Sequence, residues 1–131
     1  MSIDHLITDV SIKALIQQNG SVLLVKEPDG QFALPGGRMN VGEQPRDTLY
    51  REVFEEIGLK IEAGDLFDCF AFKSKSGTQH FVIVFLARLL ENIEAAKLDK
   101  EEVVSVEWIP LSKISTLSLR GEYRSILDQL V

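Results

Sequence analysis

The sequence predicts an α/β domain in which a mixed β-sheet lies between helical layers. Three observations carry that reading. Runs of β-branched and aliphatic residues bounded by Gly, Pro and Asn fill both halves of the chain. One long amphipathic segment, Gln44 to Ile57, splits them, and the tail from Arg120 repeats a helical period. At 131 residues the chain suits a single domain spanning 1–131, large enough to bury roughly two-thirds of its unfolded surface.

In chain order, "VSIKALIQ" reads as a strand, Asn19-Gly20 as a hairpin turn and "SVLLVKE" as the returning strand. "PDG" marks another turn, and "FALP" is a short extended piece stopped by Pro35. Gly36 and Gly37 then permit backbone conformations closed to other residues. In the helix that follows, Pro45 suits the first position, Asp47 puts a favourable charge in the first turn, and Gly58 is the C-terminal stop. Gln44 is a poor N-cap. Leu49, Val53 and Ile57 form its apolar stripe, widened by Tyr50 and Phe54.

Beyond the helix come "LFDCFAFK", a turn at "KSGTQ", and "HFVIVFLARLL", whose apolar character predicts a strand buried on both faces. "VVSVEWIPL" is a further strand ended by Pro110. Tyr123, Ile126, Leu127 and Leu130 recur at i, i+3, i+4, i+7 and predict a closing amphipathic helix.

Composition narrows the function. With 20 acidic against 14 basic residues the net charge is −6, which repels polyanions and argues against a nucleic-acid polymer as partner. A small phosphorylated ligand remains compatible if cations lie between it and the protein. No apolar run approaches the roughly 20 residues of a membrane span, so no membrane partner is expected. "MSIDHLITDV" lacks the basic and apolar parts of a secretory leader. The single cysteine, Cys69, excludes an intrachain disulfide, fits a cytoplasmic location, and reads as a packing residue. A monomer and a homodimer are both compatible with this surface.

The helix carries an anomaly. Glu52, Glu55 and Glu56 share one arc about 100° wide, and like charges at such spacings repel. One reading is a solvated face with an Arg51–Glu55 pair. The other is a site for a hard divalent cation, which takes oxygen ligands and turns the repulsion into shared attraction.

The full spacing resembles the signature of the Nudix hydrolases: Gly37, Glu43, then Arg51-Glu52-Val53-Phe54-Glu55-Glu56-Ile57-Gly58-Leu59. "FALPGG" resembles that family's entrance to the motif, with Phe32 where tryptophan is common, and "VEWIPLSKI" its late strand and short helix. The resemblance implies an α/β/α sandwich with a mixed sheet. It implies Mg²⁺, with Mn²⁺ as a substitute, held by Glu52, Glu55, Glu56 and the Gly37 carbonyl. It also implies a Glu43–Arg51 ion pair fixing the loop, and a late acid, Glu101 or Glu102, joining the metal. Glu52 or Glu56 would serve as base, with the late acid as the alternative, in hydrolysis of a nucleoside diphosphate linked to another moiety.

Subgroup marks are absent downstream: no proline separates Pro45 from Pro110 and no tyrosine Tyr50 from Tyr123. By elimination the chain resembles the short MutT-like members acting on nucleoside triphosphates, although no Asn follows Asn92 to read an oxidised guanine. Nucleotide-sugar or other diphosphate-conjugate hydrolysis, and a non-catalytic nucleotide-binding regulatory role, are the alternatives. Phe32 and Arg38 are the candidate substrate contacts, Phe32 as a base-stacking platform. Phe70, Phe72, Phe81 and Trp108 are more often core residues, and His80 reads as a satisfied strand histidine.

Overall fold

The structure, a computed structural model, describes residues 4–131; the first three residues of the opening stretch lie outside them. Seven strands and two helices follow in chain order: β1 (Asp9–Gln18), β2 (Ser21–Lys26), β3 (Phe32–Ala33), β4 (Gly36–Arg38), α1 (Pro45–Ile57), β5 (Ile61–Lys73), β6 (Gln79–Leu89), β7 (Ser105–Pro110) and α2 (Arg124–Asp128). Asn19 and Gly20 both take positive φ, 49° and 76°. That is what a two-residue turn between right-twisted strands requires.

The sheet is mixed. β1 runs parallel to β6 from Asp9↔His80 to Ile16↔Ala87, and β6 pairs antiparallel with β5. The other edge of β1 is shared: Ser11–Lys13 pair with β4, and only Gln17 and Gln18 with β2. β2 then turns away to pair with β3 and β7. β1 thus joins two sets of strands, and the glycine–glutamate motif runs from β4 into α1 at the edge of β1.

α1 buries the predicted stripe, Leu49, Val53 and Ile57, against this framework, and Thr48 with it. Tyr50 and Phe54 do not join it; they are 42% and 54% exposed, and the Tyr50 hydroxyl accepts a hydrogen bond from the Ala63 amide at 3.0 Å. Gln44 is supported by Asp47, whose carboxylate accepts from the Gln44 amide at 3.2 Å. Gly58 ends the helix in the left-handed region, φ 67°, and donates to the Phe54 carbonyl at 2.8 Å.

Other expectations need correction too; Cys69, read as a packing residue, is exposed. β5 begins at Ile61, ahead of "LFDCFAFK"; its first half is mostly exposed and its register slips between Ala63 and Asp68, which breaks the alternation that marks a strand. β6 is not covered on both faces: Val82, Val84 and Phe85 are buried, while Phe81, Ile83 and Leu86 are half-buried. The closing helix is short. Residues 121–123 form a 3₁₀ turn before α2, and Leu130 lies beyond it, although Tyr123, Ile126 and Leu127 are buried as their spacing implied. Arg124 ties this tail down by donating to the Ile114 and Leu117 carbonyls at 2.7 and 2.8 Å.

Candidate active site

A cleft of about 540 Å³ opens where β4 meets α1. Its floor is the sheet. Asp9, Ser11 and Lys13 alternate along β1 and therefore share one face, and the parallel register sets His80 beside Asp9 and Val82 beside Ser11. Ser11, Lys13, His80 and Val82 all line the cleft. The motif helix forms one wall and the tail around Arg120 and Tyr123 another.

The motif loop is clamped by Arg51. Its guanidinium forks on to Glu43, Nε to Oε2 at 2.7 Å and Nη2 to Oε1 at 2.8 Å. It also donates to Glu52 at 2.7 Å, Glu55 at 3.2 Å and the Arg38 carbonyl at 2.9 Å. The Arg51 fork, helped by the Asn40 amide and the Thr48 hydroxyl, holds the Glu43 carboxyl down at about 2. One arginine thus ties loop, strand and helix together.

Gly36 and Gly37 have different duties. Gly36 sits at φ 134°, and a Cβ there would strike the Ile12 carbonyl. Its amide donates to Glu56 Oε1 at 3.2 Å, and its carbonyl accepts from Lys13 Nζ at 3.2 Å. At Gly37 the space a Cβ would fill is taken by the Glu52 carboxylate. Gly37→Ala is therefore expected to push Glu52 aside, a flexible side chain that can yield. Turnover should fall about tenfold or more while the melting temperature stays within a few degrees, measured by kinetics and thermal unfolding on one preparation. Equal loss of both would contradict this assignment.

Glu56 points into the cleft. Burial pushes its carboxyl up to about 7, opposed by the Lys13 ammonium and the Gly36 amide. Glu102 reaches the same cleft because its loop closes the end of α1. The Lys97 and Asp99 amides donate to the Ile57 and Glu56 carbonyls, both at 2.9 Å, satisfying acceptors a helix terminus leaves open. Glu101 does not line the cleft, whereas Glu102 does.

The remaining residues singled out from the sequence fall differently into place. Glu52, Gly37 and Arg38 line the cleft, with Arg38 Nε 3.3 Å from the Asp9 carboxylate. Glu55 stands outside it, 57% exposed and engaged with Arg51. Phe32 is not brought to the cleft. It is 8% exposed, in the core, because β3 pairs with β2 and turns the ring inward under Lys26, whose Nζ lies 5.7 Å from the ring centre. Sequence reasoning misses Lys13, Glu27, Arg120 and Tyr123 as cleft residues, and reads Phe72 and His80 as a core and a strand residue. A lysine inside the apolar run of β1 was the one signal available. Arg120 is held by Glu27 at 3.1 Å and Glu122 at 2.9 Å.

Among the described residues no three acidic, histidine or cysteine side chains form a ready-made metal cage. Glu52, Glu56, Glu102 and the Gly37 backbone instead border one cleft and offer oxygen donors alone. Mg²⁺ takes such donors and keeps several of its waters, so a partly hydrated ion suits this set.

The profile of the NUDIX domain family matches residues 7–130. The chain belongs to the Nudix hydrolase family. It is similar to an uncharacterized Nudix hydrolase, YvcI of Bacillus subtilis, at 29% identity over 87% of this chain and 73% of that one. It is also similar to the nucleoside triphosphatase NudI of an Enterobacter species, at 28% identity over 88% and 91%. The crystal structure of a MutT protein from Methanosarcina mazei Go1 superposes with TM-score 0.81 at 26% identity, over 94% of this chain and 92% of that one. As a Nudix hydrolase the protein is an enzyme that cleaves diphosphate linkages. No helix among the described residues is long and apolar enough to cross a membrane.

Proposed function

We propose that this Nudix hydrolase converts nucleoside or deoxynucleoside triphosphates to the monophosphate and pyrophosphate, with Mg²⁺ as cofactor and Mn²⁺ as a substitute. The observation that carries the reading is the cleft itself: carboxylates from α1 and from the loop that closes it face Lys13 across about 540 Å³. That size suits a compact nucleotide. Similarity to the triphosphatase NudI supports the same substrate class.

Glu52, Glu56, Glu102 and the Gly37 carbonyl are the groups that would hold the cation. When bound, it neutralises the polyphosphate and stabilises charge on the leaving group. Glu56 Oε1 is occupied by the Gly36 amide, and Oε2 has no protein donor among the described residues. In this reading Glu56, with Glu52 or Glu102 as the alternative base, takes the proton from water as the water oxygen attacks phosphorus next to the nucleoside. The P–O–P bridge breaks and pyrophosphate leaves. Lys13 offers positive charge to the phosphate chain from the cleft floor.

A panel of nucleoside triphosphates, nucleotide sugars and dinucleoside polyphosphates, assayed with Mg²⁺ and resolved by product, tests this reading. The expected result is a triphosphate as best substrate, giving monophosphate and pyrophosphate in equal amounts. A clear preference for nucleotide sugars over every triphosphate would reject it.

A further inference from the structure

The mechanism leaves unused a cluster at the edge of the cleft floor. Strand register puts Asp9, His80 and Phe72 in a single row across β1, β6 and β5. The His80 ring stacks on Phe72 with centroids 4.9 Å apart and 23° between planes, and both line the cleft. Behind them Phe70 lies 6.1 Å from Phe72 and meets Tyr123 edge-on at 6.2 Å, so the stack is braced as far as the tail.

His80 Nδ1 lies 2.8 Å from Asp9 Oδ1, and the other Asp9 oxygen lies 3.3 Å from Arg38 Nε. An ionised carboxylate only accepts, so Nδ1 must be the donor. In the neutral ring Nε2 is then an acceptor held in one tautomer. Nε2 has no hydrogen-bond partner among the described residues, and no side-chain nitrogen or oxygen there is both buried and unpartnered. In the neutral form the half-buried imidazole presents an open acceptor, oriented by Asp9 and held flat by Phe72.

We propose that His80, oriented by Asp9 and backed by Phe72, recognises the nucleoside part of the substrate through a hydrogen-bond donor, either an exocyclic amine of the base or the ribose 2′-hydroxyl. This rests on the nucleotide reading above and gives the cleft the base-side contact that Phe32 does not provide. His80 is a specificity-determining residue that touches substrate; Asp9 is a positioning residue that acts through it.

The test compares wild type, His80→Ala and Asp9→Asn on ribo- and 2′-deoxynucleoside triphosphates bearing amino or carbonyl bases. Inhibition by nucleoside monophosphates and by inorganic pyrophosphate is measured alongside. His80→Ala should raise KM for the preferred substrate about five- to tenfold with kcat within about twofold. Monophosphate inhibition should weaken by the same factor and pyrophosphate inhibition should not change. Wild type should lose that factor when the donor is removed, on the deoxy series if the hydroxyl is read and on carbonyl bases if the amine is read. His80→Ala should no longer discriminate.

In Asp9→Asn the amide can donate to Nδ1, which favours the tautomer with a proton on Nε2, so the preference for a donor should weaken or reverse. An unchanged KM in folded His80→Ala, or equal weakening of pyrophosphate and monophosphate inhibition, would overturn the proposal. Should His80→Ala fail to fold, an unchanged donor preference in Asp9→Asn overturns it alone. If no triphosphate is cleaved but another nucleotide conjugate is, the triphosphate reading fails, and monophosphate inhibition still decides the role of His80.

Discussion

Glu56→Gln is expected to lower turnover by about 10²-fold or more, the scale of losing one well-placed electrostatic group. The substitution keeps the shape and removes the charge from the carboxylate that the Gly36 amide aims into the cleft. It should also stabilise the metal-free protein. Burial raises the folded-state carboxyl from its ordinary 4.5 to about 7, so between those values the folded chain keeps a proton that the unfolded chain has lost. Stability therefore falls as pH rises through that window, and above it the wild type carries a buried charge that glutamine lacks. At pH 8 in chelator the variant should be more stable by roughly 1–3 kcal/mol, read from denaturant midpoints. A variant both inactive and less stable in chelator would show Glu56 to be structural.

Arg51→Lys should reduce stability and activity together. The guanidinium makes a bidentate pair with Glu43 while also reaching Glu52 and the Arg38 carbonyl. An ammonium offers no planar fork and cannot span those partners at once. The expected cost is about 1–3 kcal/mol, with at least a tenfold loss of kcat as Glu52 is released from its position. The acid limb should change as well. The depressed Glu43 carboxyl contributes stability that is present above the ordinary carboxylate range and lost as pH falls towards about 2, and the variant should lose much of that dependence. An unchanged melting temperature with a selectively raised KM would instead place Arg51 on the substrate.

The legible parts of this protein are those where the needed information is local. α1 and its stops follow from Pro45, Gly58 and the Leu49–Val53–Ile57 stripe, and Asn19-Gly20 announces its hairpin. The carboxylates that converge with Gly37 are close in sequence, so helical geometry alone brings Glu52 and Glu56 to one side. What escaped depends on register between distant strands. Lys13 meets the cleft only because β1 pairs with β4 on one edge and β6 on the other, and His80 meets Asp9 across the parallel pairing. Phe32 shows the converse: alternation says that a strand residue faces one side without saying which side holds the core. The first half of β5 was hidden by its bulge, and β4 by two glycines that carry no strand preference.

Cleavage by this enzyme is expected to require a divalent cation held by the cleft. Hydrolysis of the best nucleotide substrate found, followed first in excess chelator and then after Mg²⁺ is restored, tests that requirement most directly. The predicted result is no turnover in chelator, recovery with Mg²⁺ in the wild type, and no recovery in Glu56→Gln. Wild-type turnover that persists in excess chelator would contradict it.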